Sequence, residues 1–125
     1  MTGEGFSVRP EVAGSVLILR LHGELDISSA EGFRREVEQA LGETNCRAVV
    51  LSCRHLSFLD SSGLGAILGR YRQLQGRGGR MAVAGVSGRV KTVLDMSGVS
   101  KLIPVYDSEK KAVQALGGEV AQCTG

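Results

Sequence analysis

Residues 58–69 read F-L-D-S-S-G-L-G-A-I-L-G, and how they fold decides how the rest of the chain is read. Leu64, Ile67, Leu68 and Tyr71 recur at helical spacing, so the stretch reads as the first turns of a helix reaching about Leu74. Yet it holds Gly63, Gly65 and Gly69. Each glycine inside a helix costs roughly 1 kcal/mol relative to alanine. On a wheel of about 100° per residue, Leu64, Ile67, Leu68, Tyr71, Leu74 and Gln75 share the arc expected to face a sheet. Gly65, Gly69 and Arg72 fall together on a neighbouring arc, with Ser61 at its edge. The helix therefore has a wall almost without side chains, starting at a serine and ending at an arginine. Such a wall suits close packing against another helix of the same domain, or close approach by another molecule. Gly63 lies in the first turn, where the pattern supplies no reason for it.

Asp60, Ser61 and Ser62 stand where that helix begins. Free N–H groups and the helix dipole favour negative charge there. Asp60 or a serine can serve as the N-cap. Alternatively, a serine hydroxyl here is a phosphorylation site, because the position tolerates the nearly two negative charges of a phosphoserine.

Outward from this point, strands and helices alternate. Residues 5–12 predict a weak first strand, Ala13-Gly14 a hairpin turn, and 15–21 (S-V-L-I-L-R-L) a second strand. Ser28-Ser29-Ala30-Glu31 matches a capping box, with Ser28 as the cap and Glu31 reaching back. Ala30, Phe33, Val37, Ala40 and Leu41 then form one apolar stripe, and Gly42 is a plausible stop. Residues 47–52 predict a buried strand, 75–79 a turn, and 81–84 a short strand. Val90, Val93 and Leu94 predict a helix ending near Gly98, and 102–106 a last strand. A final helix from near Ser108 carries Ala112, Val113 and Leu116, and the tail over 118–125 is expected to fray. This alternation predicts a layered α/β domain, with a mixed β-sheet because of the leading hairpin and about four α-helices packed on it.

A chain of 125 residues fits one domain over 1–125. With no Trp and few other aromatics, the core must be aliphatic. No apolar run approaches the roughly 20 residues of a membrane span, and M-T-G-E-G-F lacks the features of a secretory signal. The expected location is cytoplasmic. Cys46, Cys53 and Cys123 are odd in number and show no C-x-x-C spacing, so they read as small apolar residues rather than disulfides or zinc ligands. His22 and His55 read as ordinary surface or loop histidines. The net charge of +2 does not indicate a partner. Between Asp60 and Asp95, however, there is no acidic residue, while Arg70, Arg72, Arg77, Arg80, Arg89 and Lys91 all occur. That stretch reads as a solvated basic face or as steering for an acidic protein. Nucleic acid is the weaker reading, since a single aromatic is available for stacking.

No catalytic constellation emerges. Gly85-Val86-Ser87-Gly88 does not fit the hydrolase elbow G-x-S-x-G, and the phosphate-binding loop G-x-x-x-x-G-K-[ST] is absent. Gly63, Gly65 and Gly69 give G-x-G-x-x-x-G, one residue out from the dinucleotide fingerprint. The residues alone lead to a small interaction domain with a possible serine switch, no enzyme, and no cofactor or metal. Two other readings stay open: a nucleotide-binding or nucleotide-hydrolysing domain, and a constitutive structural subunit in which Ser61 is only a helix cap.

The segment F-L-D-S-S-G-L-G followed by A-I-L-G-R-Y, with H-G-E-L-D before it and D-M-S-G-V-S-K-L-I after it, resembles the anti-sigma factor antagonists, which share the STAS domain. The resemblance runs from about residue 6 to about residue 117 and is closest to the sporulation branch, the anti-sigma-F factor antagonists. It implies a partner that is both an anti-sigma factor and an ATP-dependent serine kinase. In this family the unphosphorylated antagonist captures that partner and frees a sigma factor. Phosphorylation of the serine after the aspartate, here Ser61, releases it, and a metal-dependent serine phosphatase restores the first state. The same matching places Asp26 near the switch serine and Asp60, Ser62, Gly63 and Gly65 around it, and the wheel adds Gly69 and Arg72 further along the close-approach surface. The implied protein is monomeric when free and binds neither nucleic acid nor membrane.

Overall fold

The computed structural model describes residues 5–124, with side chains in the last helix described as far as Gly117. Strand β1 (Phe6–Ala13) turns at Gly14, where φ is +64°, and pairs antiparallel with β2 (Val16–Leu25). Helix α1 (Ala30–Glu43), strand β3 (Ala48–Leu59), helix α2 (Ser61–Gly76) and strand β4 (Arg80–Ala84) follow. Helix α3 (Gly88–Ser97), a single 3-10 turn (Val99–Lys101), strand β5 (Val105–Tyr106) and helix α4 (Glu109–Thr124) complete the chain. The strands lie in the order β1-β2-β3-β4-β5, and every pair after the hairpin is parallel. The predicted mixed sheet with four helices is the observed one.

Period-two alternation along the strands divides the apolar residues between two faces. Leu17, Leu19, Leu21, Val49, Leu51, Met81 and Val83 point to the front, where Phe33 and Val37 of α1, Ile67 and Leu74 of α2, and Val90 and Leu94 of α3 cover them. Val16, Ile18, Val50, Ala82 and Ala84 point to the back, under Ala112 and Leu116 of α4. Phe33, fully buried, meets Phe6 edge to face at 6.3 Å between centroids. At the rim of the back face Arg20 donates to both carboxylate oxygens of Glu109 at 2.9 Å and also pairs with Glu11. The guanidinium bonds hold the Glu109 carboxyl below its ordinary value.

Several expectations change. Strand β3 runs to Leu59 rather than stopping at 52, so Phe58 and Leu59 belong to a strand and not to the first turns of a helix. Its second half pairs with β2 through register shifts between Arg20 and His22 and between Gly23 and Glu24. The capping box at Ser28 does not form. Ser29 is the N-cap and makes no side-chain cap bond, and Glu31 pairs with Arg34 at 3.3 Å. The stronger acceptor is Asp26, whose Oδ1 receives Ser28 Oγ at 2.7 Å, Ser28 N at 3.0 Å and Ser29 N at 3.2 Å. The last strand is cut to Val105–Tyr106 because the 3-10 turn closes Leu102 N onto Val99 O. The tail expected to fray from 118 to 125 lies beyond the described side chains, although α4 is assigned through Thr124. Cys123 falls in the same region.

His55 is a surface histidine, as expected, and His22 is half-buried; both lie on adjacent strands rather than in loops, with rings stacked at 4.8 Å and an interplanar angle of 12°. Burial, followed by the nearby Arg9, lowers the His22 pKa. Cys46 and Cys53 are free thiols. Burial pushes the Cys53 thiol up to about 12, consistent with a small apolar core residue.

Candidate functional site

The parallel strands β2 and β3 end side by side at Leu25 and Leu59, and the loops leaving them meet. Asp60 joins the two. Its backbone N–H donates to Leu25 O at 3.3 Å. Its carboxylate accepts from Gly63 N at 2.9 Å through one oxygen and from Ile27 N at 3.2 Å through the other. Asp60 is therefore the N-cap of α2 and also the clamp that holds the Asp26-Ile27 loop against it.

With the cap supplied by Asp60, Ser61 becomes the first residue of the helix. It is exposed, and its hydroxyl makes no hydrogen bond among the described residues. Ser62 beside it is half-buried. Both serines line the same cleft, and Ser61 is the more exposed of the two. The premise of the cap-only reading fails, because the cap belongs to its neighbour. Replacing Asp60 with alanine is expected to cost about 1 kcal/mol. By thermal unfolding, Ser61→Ala should stay within about 0.5 kcal/mol of the parent. Equal losses in the two variants would show that Ser61 shares the cap after all.

The three glycines of α2 have two different explanations. A Cβ built on Gly63 would stand 2.5 Å from Leu25 O, 2.8 Å from Leu25 Cγ and 2.9 Å from Leu59 Cδ1. Gly63 is required by the domain itself, where the first turn of α2 crosses the ends of β2 and β3. Gly65 and Gly69 meet no such neighbour. Beyond the helix's own backbone, nothing among the described residues lies within 4 Å of a Cβ on either. The reading in which these two glycines seat α2 against another helix of the domain is excluded by that open space. Ser61, Gly65 and Arg72 are exposed, and Gly69 is half-buried.

The face that α2 turns to the sheet is rotated from the expected arc. Gly63, Ala66, Ile67 and Leu74 are buried, while Leu64, Leu68 and Tyr71 pack partly against the front core. Gln75, expected to face the sheet, is exposed and donates to Tyr71 Oη at 2.9 Å. Small residues on the sheet side let α2 sit close, which turns its larger side chains toward the flanks.

Asp26 and Ile27 arrive at the site through the Asp60 clamp. The carboxyl of Asp26 is held below its ordinary value, first by the Ser28 hydroxyl. Three residues not expected at the site join them. Ile27, Glu31 and Arg34 line a cleft of about 330 Å³ together with Ser61 and Gly65. Ile27 is 78% exposed, an aliphatic side chain left in water beside the serine. Its signal in the sequence is an aliphatic residue flanked by Asp26 and Ser28.

The basic stretch does not form one face. Arg70 pairs with Glu38 of α1, Lys91 with Asp95 at 2.9 Å, and Arg80 donates to Leu116 O at 2.7 Å. Among the described residues, Arg72, Arg77 and Arg89 are exposed with no carboxylate within 4.0 Å, and of these only Arg72 lies on the glycine ridge. No helix among the described residues is long and apolar enough to cross a membrane.

A hairpin-led, otherwise parallel five-stranded sheet, three helices on one face, one on the other, and a serine just after the aspartate cap of α2 define a known class of domain. The STAS domain family matches residues 7–112, and the chain belongs to it. Within that family it is 46% identical over 101 residues to the anti-sigma F factor antagonist of Paenibacillus polymyxa, across 81% of this chain and 86% of that protein. Among solved structures it is similar to the anti-sigma factor antagonist SpoIIAA in its unphosphorylated form, with a TM-score of 0.75, 30% identity, and 90% of this chain and 96% of that chain covered. It is also similar to the Bacillus cell fate determinant SpoIIAA in the phosphorylated form, with a TM-score of 0.66, 29% identity, and 88% and 97% of the two chains covered.

Proposed function

We propose that this chain is an anti-sigma factor antagonist working by partner switching in a sporulation pathway in the cytoplasm. In its unphosphorylated form it binds, as a monomer, an anti-sigma factor that is also a serine kinase, and so frees a sigma factor. The kinase transfers the γ-phosphoryl group of ATP to Ser61 Oγ. The new O–P bond forms as the bond to the β-phosphate oxygen breaks, ADP leaves, and the hydroxyl proton passes to a base of the kinase. The phosphorylated form releases the kinase, and a metal-dependent serine phosphatase restores the hydroxyl. The chain acts as substrate and ligand throughout and is not itself an enzyme.

The observation that carries this reading is the exposed Ser61 at the start of a helix already capped by Asp60, next to a glycine ridge open to solvent. A kinase needs a reachable hydroxyl and a surface it can approach closely, and these residues supply both. Asp26, Asp60, Ser62, Gly63, Gly65, Gly69 and Arg72 are assigned to its surroundings. Asp60 shapes the loop, Gly63 seats the helix, Gly65 and Gly69 form the contact surface, and Arg72 sits at its far end.

The test is to mix the chain with the ATP-binding anti-sigma kinase of the same organism, with ADP and then with ATP. A complex is expected with ADP. With ATP, mass spectrometry should find one phosphate, on Ser61, and the complex should dissociate. Ser61→Ala should hold the kinase with either nucleotide and fold normally. A phosphate on another residue, or release of Ser61→Ala on adding ATP, would rule the switch out.

A further inference from the structure

Among the described residues, the cleft between the first turns of α1 and α2 has one cation in its lining, Arg34, on the α1 side, and Ser61 on the α2 side. Arg34 follows Ala30 by one helical turn, and both line this cleft opposite Ser61, Ser62 and Gly65. Its only ion-pair partner among the described residues is Glu31, at 3.3 Å, with the two side chains 44% and 68% exposed. Pairs this open to water hold their partners weakly. The other carboxylates nearby are committed elsewhere: Asp60 to the N–H groups of Gly63 and Ile27, and Asp26 to Ser28 and Ser29. Gly65 leaves the path between the two sides free of a side chain.

We propose that Arg34 is the phosphate-binding residue of this site: when Ser61 carries a phosphate, the Arg34 guanidinium leaves Glu31 and pairs with the phosphate across the cleft. This rests on the switch described above. A dianion with three oxygens accepts the guanidinium fork in a bidentate manner, and the single exposed carboxylate of Glu31 cannot compete with it. The resulting bridge ties α1 to α2 between Ile27 and Gly65, on the surface the kinase would use. Release of the kinase then has two sources. One is the added charge, and the other is a contact surface already occupied by the protein's own arginine.

The experiment uses protein with phosphoserine installed at position 61 during translation. Its phosphorus NMR signal is followed across the second ionisation of the phosphate, near pH 6. Arg34→Gln is expected to raise that pKa by about 1 unit. Arg34→Lys should restore part of the shift, and Arg35→Gln, an exposed neighbour on the same helix, should leave it unchanged. Coincident titrations for the phosphoserine protein and its Arg34→Gln variant overturn the proposal. The same phosphoserine protein is also mixed with the anti-sigma kinase and ADP. Undiminished capture there overturns the switch itself, and so separates failure of that reading from failure of the role given to Arg34.

Discussion

Gly65→Leu is expected to make the domain more stable and nearly inactive. Leucine is the better helix former, and exchanging glycine for it in an exposed helix gains about 0.8 kcal/mol. Nothing within 4 Å of the new Cβ opposes the change. The same side chain would stand in the middle of the ridge where the kinase is proposed to lie against the helix backbone. Several atoms of bulk at the centre of a close contact are expected to weaken capture by about 100-fold, equivalent to roughly 3 kcal/mol. Denaturant unfolding and a binding titration with the ADP-bound anti-sigma kinase give the two numbers. Capture at parental strength by a stably folded Gly65→Leu protein would remove the glycine ridge from the interface.

Gly63→Ala, only two residues away, is expected to do the reverse. Its methyl group would meet a backbone oxygen at 2.5 Å, and a carbonyl at the end of a parallel strand cannot move aside as a side-chain tip can. Overpacking of this kind costs about 1–3 kcal/mol. Thermal unfolding should show a fall in Tm of at least about 4 °C. Whatever of the variant is folded should still present Ser61 and Gly65, so capture per folded molecule should change little. If Gly63→Ala melts at the parental temperature, the crossing of α2 over Leu25 and Leu59 is looser than its geometry implies. The contrast between these neighbours separates a glycine the fold needs from one it does not.

That contrast also marks where the sequence stops being legible. The alternation of elements, the hairpin at Gly14 and the stripe on α1 depend on local periodicity, and local periodicity is visible in one dimension. Gly63 could not be explained from the pattern because its reason is Leu25, a residue from another element brought close only by the sheet. The same holds for Asp60, whose second oxygen is bound by Ile27. The extension of β3 to Leu59 was hidden because Arg54, His55 and Ser57 interrupt the apolar run just where the register shifts against β2. The capping box failed because sequence spacing shows which groups are near one another along the chain but not which acceptor is strongest, and Asp26 outcompeted the serines. Of the site, Ser61 and the glycine wall were legible as a pattern, whereas Ile27, Glu31 and Arg34 became part of it only through the packing of α1 beside α2.

The cap on α2 is Asp60, and the proposed switch residue, Ser61, is the one after it. Had a single serine done both jobs, each round of modification would have altered the anchoring of the helix and, with it, the lifetime of the molecule. Because the tasks are divided, modification of Ser61 should leave the Asp60 cap in place. On the proposed switch, the helix anchor then persists through every cycle, and the signal is held as the ratio of the two forms.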